Sequence, residues 1–178
     1  MTPESKIPFN ADLIEAFAGT FLSPMYDNPQ PTPPFHREGW RLYCSDDRLC
    51  AIAAPREHAK STAFTHDFAI AAALFRFESH ILVVSATEKL ALAHLGDISK
   101  LLHDSEDIRE EFGITGFPVD SKGEIVVKCG DGYEFRIVAA SAGQKLRGMK
   151  WNGRRPGLIL CDDMEEDEDG DVLPSAED

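Results

Sequence analysis

The chain has 178 residues, which is enough for one domain with a hydrophobic core and too few for two full domains. Its longest apolar runs, at 68–75 and 81–84, fall far short of the roughly 20 residues that span a bilayer. Residues 1–9 contain no hydrophobic signal core. The sequence therefore argues against a membrane-spanning or secreted protein.

The net charge of −13 is unevenly distributed along the chain. Residues 162–178 contain ten acidic side chains and no basic one, which leaves 21 acidic against 18 basic residues for the rest. Residues 139–155 contain no acid and carry a basic run. Its members are Lys145, Arg147, Lys150, Arg154 and Arg155. Because phosphate backbones are bound by local excess of Lys and Arg, the negative total does not exclude nucleic acid.

The four cysteines form no C-x-x-C pair, so neither a zinc site nor a disulfide framework is indicated. Free thiols in apolar stretches are typical of a reducing, cytosolic compartment. These cysteines are Cys44, Cys50, Cys129 and Cys161.

The first half of the chain predicts two helices, a connector and a strand–loop–helix unit. Asn10 is a candidate N-cap for a helix over 11–21, whose apolar residues recur every four positions. The proline-rich stretch 24–34 predicts a flexible or extended connector. The remaining expected elements are a helix over 35–43, a strand over 49–54 and a helix over 60–75.

The second half repeats the alternation of strands and helices. Thr87 is a candidate N-cap between a β-branched run and an amphipathic helix. The expected strands are 80–86, 124–129, 134–139 and 158–161, and the expected helices are 88–103 and 104–112. This alternation predicts an α/β fold with a mainly parallel sheet sandwiched by helices on both faces.

In such a sheet, ligands bind where strand ends meet helix N-termini, so the loop after the first predicted strand is the first candidate site. Lys60 and Ser61 have the order found in a phosphate-binding loop, where the lysine reaches the phosphates and the hydroxyl binds Mg²⁺. Ala54 and Ala59 stand where the usual pattern has glycine. The alternative is a helix N-terminus with an incidental Lys-Ser pair.

A second candidate element follows the last apolar run. Asp162 comes directly after 158–161 and is the candidate metal ligand, while Asp163 or Glu165 is the candidate base that orients an attacking water. The alternative is that these acids begin a solvated acidic tail, which we favour for 166–178.

A third candidate is Arg147, which lies between Gly143 and Gly148 in the basic run. Such an arginine can neutralise the charge that develops on a transferred phosphoryl group. The alternative is a solvated basic loop, or one that contacts a DNA backbone, which also fits Arg154 and Arg155.

In this order and spacing, PREHAKST, HILVVSATE, GQKLRG and GRRPGLILCDDMEEDE resemble the ATPase domain of bacteriophage large terminases over 34–168. The resemblance implies a P-loop NTPase of the additional-strand, RecA-like class. It implies Mg²⁺-dependent ATP hydrolysis coupled to translocation of double-stranded viral DNA into the procapsid.

The resemblance also assigns residues. The family's phosphate loop has an arginine near its start and often alanine before the lysine, as Arg56 and Ala59 do here. The nucleotide-binding set is then Arg56, Glu57, His58, Ala59, Lys60, Ser61 and Thr62, with Phe35 stacking on adenine and His36 replacing a glutamine. A hydrophobic staple explains Phe35 equally well. Lys60 would also be catalytic, and Arg147 matches an arginine thought to act across a subunit boundary.

The family's usual Asp-Glu pair is Asp162-Asp163 here, so the base is expected at Asp163 or Glu165. Expected divisions are an N-terminal helix and linker at 1–33, an ATPase domain at 34–165 and an acidic tail at 166–178, without the family's nuclease domain. Expected partners are viral DNA, portal protein, small terminase subunit and, during packaging, further copies in a ring, with a monomer in isolation. The expected location is the host cytoplasm and the procapsid portal.

Two rival interpretations of the sequence remain. One is a fragment of a helicase-like P-loop ATPase. The other is a non-catalytic module that keeps nucleotide affinity and serves in assembly.

Overall fold

The computed structural model describes residues 8–54, 58–144 and 149–164. They form an α/β fold in which one open, five-stranded sheet is flanked by helices. The strands are β1 (His80–Ser85), β2 (Ile114–Ser121), β3 (Glu124–Cys129), β4 (Glu134–Ser141) and β5 (Leu158–Cys161). The α-helices are α1 (Ala11–Phe17), α2 (Pro34–Tyr43), α3 (Phe68–Leu74), α4 (Glu88–Asp104) and α5 (Glu106–Glu111).

The sheet is mixed, so the expectation of a mainly parallel sheet is wrong. Its order is β2-β3-β4-β1-β5, in which β4, β1 and β5 are parallel while β2–β3 and β3–β4 are antiparallel pairs. The physical reason lies in the connections: only Lys122 and Gly123 separate β2 from β3, and four residues separate β3 from β4. Such short loops join antiparallel strands, since parallel neighbours need a crossover of a dozen residues or more.

Two strand predictions fail in opposite directions. Residues 49–54 form no strand, and Leu49 is 94% exposed, because this apolar run makes no ladder hydrogen bonds with the described strands. Conversely, β2 contains glycine and proline and was not predicted, yet it pairs with β3 through irregular register. The other strand predictions, at β1, β3, β4 and β5, are confirmed within two residues.

The helix predictions are confirmed, and their caps form as expected. The side chain of Asn10 accepts a hydrogen bond from Leu13 N at 2.9 Å, and that of Thr87 accepts one from Leu90 N at 3.3 Å. A π-helical segment, Ala18–Leu22, continues α1. None of the helices in the described parts of the chain is both long enough and apolar enough to cross a membrane.

The helix predicted over 60–75 begins with a π-helical segment, Ser61–Asp67, and continues as α3. Every residue of α3 is buried, which is typical of a central helix covered on all sides. The wider turns of the π-helical segment place residues five apart, rather than four, on one face. The residues of this segment therefore lie on two faces, and each face lines one of the two cavities described below.

The main hydrophobic core lies between the helices and one face of the sheet. Ile81 and Val83 of β1 belong to it, together with residues from all five α-helices, including Ile14 and Phe17 of α1. Because side chains alternate along a strand, Leu82 and Val84 point to the opposite face, where they form a smaller cluster. No described helix contributes to that second cluster, so the expectation of helices on both faces is not met by the described residues.

The expected division of the chain at residue 33, between an N-terminal helix with its linker and a separate ATPase domain, stays a prediction.

Candidate functional site

A cavity of about 560 Å³ lies between the start of the helix at 60–74 and the carboxyl end of β5. The loop and first helical turn form one wall, and the two aspartates that follow β5 form the other. The residues lining it are Tyr43, Ile52, His58, Ala59, Lys60, Ser61, Thr62, Phe64, Thr65, Cys161, Asp162 and Asp163. The fold thus brings together two segments that are a hundred residues apart in sequence.

The loop wall is held by two hydrogen bonds that its own backbone carbonyl oxygens accept. Lys60 Nζ donates to the carbonyl oxygen of Ala54 at 2.8 Å, and Ala63 N donates to Ala59 O at 3.0 Å. Ala59 has φ +49°, in the left-handed region that favours glycine. Lys60 and the start of the helix therefore lie on the same wall, and helix starts are in general suited to an anion because their first N–H groups lack intrahelical partners.

The opposite wall continues the ladder between β5 and β1. Asp162 N donates to Val84 O at 2.9 Å, and Asp163 O accepts from Ala86 N at 3.0 Å. The Thr65 hydroxyl donates to Asp162 Oδ2 at 3.0 Å, which joins the helix to the carboxylate. Burial, and then the charge of Asp162, raise the pKa of Tyr43 to about 12. Burial also raises the pKa of the Cys161 thiol.

Two buried histidines lie behind Asp162. His66 Nε2 and His94 Nδ1 are 2.9 Å apart, and His94 Nε2 is 3.6 Å from Asp162 Oδ2. The second separation is longer than a hydrogen bond. Burial, and then proximity to His94, lower the pKa of His66 to about 4.

A larger cavity of about 850 Å³ adjoins the first across His58, Ala59 and Thr62, which line both. Prolines 29, 31 and 33 and Trp40 give it largely apolar walls. Trp40 Nε1 donates to Ala63 O at 2.8 Å, which fixes the indole against the helix.

A buried carboxyl group, Asp67, also lines this larger cavity. Asp67 Oδ1 accepts from the Tyr26 hydroxyl at 2.6 Å. Burial raises the pKa of Asp67 to about 7, although the Tyr26 hydrogen bond opposes the rise. The Asp67 carboxyl therefore titrates near neutral pH.

Seven of the predicted site residues line the smaller cavity, and three of them also line the larger one. The three shared residues are His58, Ala59 and Thr62, and the other four are Lys60, Ser61, Asp162 and Asp163.

His36 lines the larger cavity, where its Nε2 lies 2.8 Å from His58 O and burial lowers its pKa. Phe35 is not among the described residues that line either cavity; its ring packs edge-on against His36, with centroids 4.3 Å apart. Arg56, Glu57, Arg147 and Glu165 lie outside the described residues.

Several residues at the site escaped the sequence argument. Thr65 lies one helical turn beyond Ser61, and its hydroxyl makes the hydrogen bond to Asp162. The sequence motif assigns a metal-binding hydroxyl to Ser61 and no role to Thr65. The spacing of Ser61 and Thr65 is a usable signal, because residues four apart share a face of the α-helix that the sequence predicts over 60–75. His66, His94 and Asp67 gave no motif-level signal.

The smaller cavity offers oxygen donors of the kind that magnesium takes in proteins. They are the Asp162 and Asp163 carboxylates, with the Ser61 and Thr65 hydroxyls nearby. No group of three or more His, Cys, Asp or Glu able to hold a metal occurs among the described residues. Magnesium needs no such cage, because it keeps several waters and is held by one or two carboxylates together with substrate phosphates.

Comparison with known proteins gives no identification: no family model, curated protein or solved structure matches the chain. The functional argument therefore rests on the residues and geometry of the site.

Proposed function

We propose that the chain is a P-loop ATPase that binds Mg²⁺-ATP in the smaller cavity, as the ATPase domain of a terminase-like DNA-packaging motor. The observation that carries the proposal is the hydrogen bond from Thr65, on the helix after Lys60, to Asp162 at the end of β5. It joins a candidate phosphate-binding helix start and a candidate metal carboxylate, which lie on opposite walls of one cavity. Those are the two elements that phosphoryl transfer to water requires.

The loop wall would receive the phosphates. Lys60 Nζ exchanges its bond to Ala54 O for a phosphate oxygen, while N–H groups of the first helical turn donate to the same group. Ser61 and Asp162 would hold a magnesium ion, which neutralises phosphate charge when bound. Asp163 or Glu165 orients the attacking water, and Arg147 is expected to reach the site of a neighbouring copy.

The nucleoside is best placed in the larger cavity. This cavity shares His58, Ala59 and Thr62 with the phosphate wall, so one ligand can occupy both spaces. Its apolar lining suits a planar base, and Asp67 offers a polar group at its floor. His36 is then near the base, as expected from the sequence, whereas stacking by Phe35 would require its ring to leave its present contacts.

The motor role follows from the sequence resemblance alone. It implies that ATP turnover is coupled to movement of double-stranded viral DNA, with portal protein and small terminase as partners in a ring of copies. The experiment that separates this ATPase from a non-catalytic assembly module is phosphate release, measured with and without DNA. ATP binding without release under either condition would favour the module.

The nucleotide site itself is tested by Lys60→Ala. We expect this change to abolish binding in a fluorescent-nucleotide titration, because it removes the cation of the phosphate wall. Lys100→Ala, at an exposed position on α4, is the matched control for loss of one positive charge. Wild-type affinity in Lys60→Ala would refute the proposed site.

Arg147 provides a separate test of turnover. Arg147→Ala should leave nucleotide affinity unchanged and remove hydrolysis. Full turnover by a chain kept monomeric at high dilution would contradict a finger supplied by a neighbouring copy.

A further inference from the structure

The two histidines behind Asp162 form a buried chain that connects α4 to the candidate metal site. His94 belongs to α4, and its side chain is 8% exposed. His94 Nε2 is buried without a hydrogen-bond partner among the described residues, and it lies 3.6 Å from Asp162 Oδ2. A buried polar atom without a partner is unusual enough to require a physical reason.

The tautomers of the pair follow from electrostatics. A proton must lie between His66 Nε2 and His94 Nδ1, which are 2.9 Å apart. If His94 carried it on Nδ1, its Nε2 lone pair would face the Asp162 carboxylate, and two acceptors would oppose each other in a buried place. If His66 donates from Nε2, His94 Nδ1 accepts and His94 Nε2–H points at the carboxylate. The second arrangement places a donor opposite an acceptor at both contacts, between the two rings and between His94 and Asp162.

Burial supports the same assignment. The lowered pKa of His66, about 4, keeps this ring neutral at physiological pH, so it has a single proton to donate.

We infer that His94, oriented by His66, is a positioning residue that directs its Nε2–H at Asp162 Oδ2 and thereby sets the orientation of the candidate metal carboxylate. Thr65 donates to that same oxygen at 3.0 Å, so a shortened His94 contact would hold Oδ2 from two sides. The metal-related part of this inference rests on the proposed function. We expect the 3.6 Å contact to shorten to hydrogen-bond length when the carboxylate is ordered in the loaded site.

The expected size of the effect comes from residues that orient metal ligands in general. Loss of such a partner typically weakens metal affinity about 10- to 100-fold. The nucleotide contacts made without metal involve the loop wall instead, so they should not change.

Two variants of His94 separate positioning from packing. His94→Phe keeps a planar ring and removes the donor, whereas His94→Gln places an amide N–H near the former Nε2. We measure the Mg²⁺ concentration for half-maximal effect on fluorescent-ATP binding, and nucleotide affinity in EDTA. His94→Phe should raise the Mg²⁺ midpoint at least about tenfold above the wild-type value, without changing nucleotide affinity in EDTA. His94→Gln should have a Mg²⁺ midpoint within about threefold of the wild-type value. An unchanged Mg²⁺ midpoint in His94→Phe would overturn the positioning role.

A second measurement uses the wild-type chain and needs no nucleotide, so it holds even if the phenylalanine variant fails to fold. Long-range ¹H–¹⁵N correlation at pH 7 reports which ring nitrogen carries the proton. We expect Nε2–H for both His66 and His94, and a proton on His94 Nδ1 would refute the inference. Absence of ATP binding by the wild type would refute the proposed function, while the tautomer spectrum would still decide the contact between His94 and Asp162.

Discussion

Asp67 provides a quantitative test of the structure because burial makes its ionisation costly. The residue is 6% exposed, and burial raises its pKa from the ordinary 3.8 to about 7. A tenfold change in proton affinity is worth about 1.4 kcal/mol, so the ionised form costs the folded state about 4 kcal/mol relative to an unperturbed aspartate. We therefore predict that Asp67→Asn becomes progressively more stable than the wild type as the pH rises.

The direction follows from proton linkage. Below pH 3.8 Asp67 is protonated in both the folded and the unfolded chain, so it imposes no cost. As the pH rises from about 4 to about 7, the unfolded chain loses this proton first, and the free energy of unfolding falls. Above pH 7 the cost is constant, because both states are then ionised.

The assay is urea unfolding followed by tryptophan fluorescence, since Trp40 is 1% exposed and should respond to loss of the core. Asparagine keeps an oxygen that accepts from Tyr26, and any fixed cost of its amide is independent of pH. The stability difference between Asp67→Asn and wild type should grow by about 3 kcal/mol between pH 5 and pH 8.

The control is Asp46→Asn, at an exposed position, which should leave the pH profile unchanged. Tyr26→Phe should enlarge the fall in the free energy of unfolding and extend it to higher pH, because the Tyr26 hydrogen bond lowers the pKa of Asp67. Parallel profiles for the wild type and Asp67→Asn would refute the reasoning, since they would mean that Asp67 ionises equally easily in both states.

Three further substitutions test individual features of the site. Ala59→Gly should raise the midpoint of thermal unfolding, by up to about 1 kcal/mol in stability, because it relieves a left-handed alanine. Gly39→Ala should cost about 1–3 kcal/mol in urea unfolding, because a Cβ there overlaps the ring of Phe64, whereas Gly19→Ala, with open space, should not destabilise. Thr65→Val should cost about 1 kcal/mol by removing its bond to the carboxylate after β5, and an unchanged unfolding midpoint would show that this bond adds nothing.

Local signals in the sequence are sufficient for most helices and for the hairpin of β3 and β4. Asn10 and Thr87 cap helices where the pattern placed them, because a cap depends on residues within one turn. The strand at 49–54 was predicted from an apolar run alone, but a strand forms only where another strand supplies its hydrogen bonds. The described part of the sheet supplies none to this run, so its apolar character could not decide the outcome.

At the site, too, local sequence identifies individual residues but not the contacts between distant ones. Order and residue type point to Lys60, Ser61 and Asp162, because a Lys-Ser pair at a helix start and acids after an apolar run are recognisable in a sequence. The contact between Thr65 and Asp162 spans 97 positions and depends on the π-helical turn and the packing of β5 beside it. His94 reaches the same carboxylate from α4, and nothing in the residues around it marks that approach.

The backbone conformation at Ala59 is relevant to the loss of glycine from the loop of the smaller cavity. The described residues with positive φ, glycines aside, are Ala59, Arg76, Asn152 and Asp163. Two of these four, Ala59 and Asp163, line opposite walls of the smaller cavity. Left-handed backbone costs an alanine about 1–2 kcal/mol, and strain of this kind is concentrated at functional sites. The loop therefore adopts at Ala59 the backbone that glycine would supply, so the absence of glycine from the sequence does not exclude a phosphate-binding conformation.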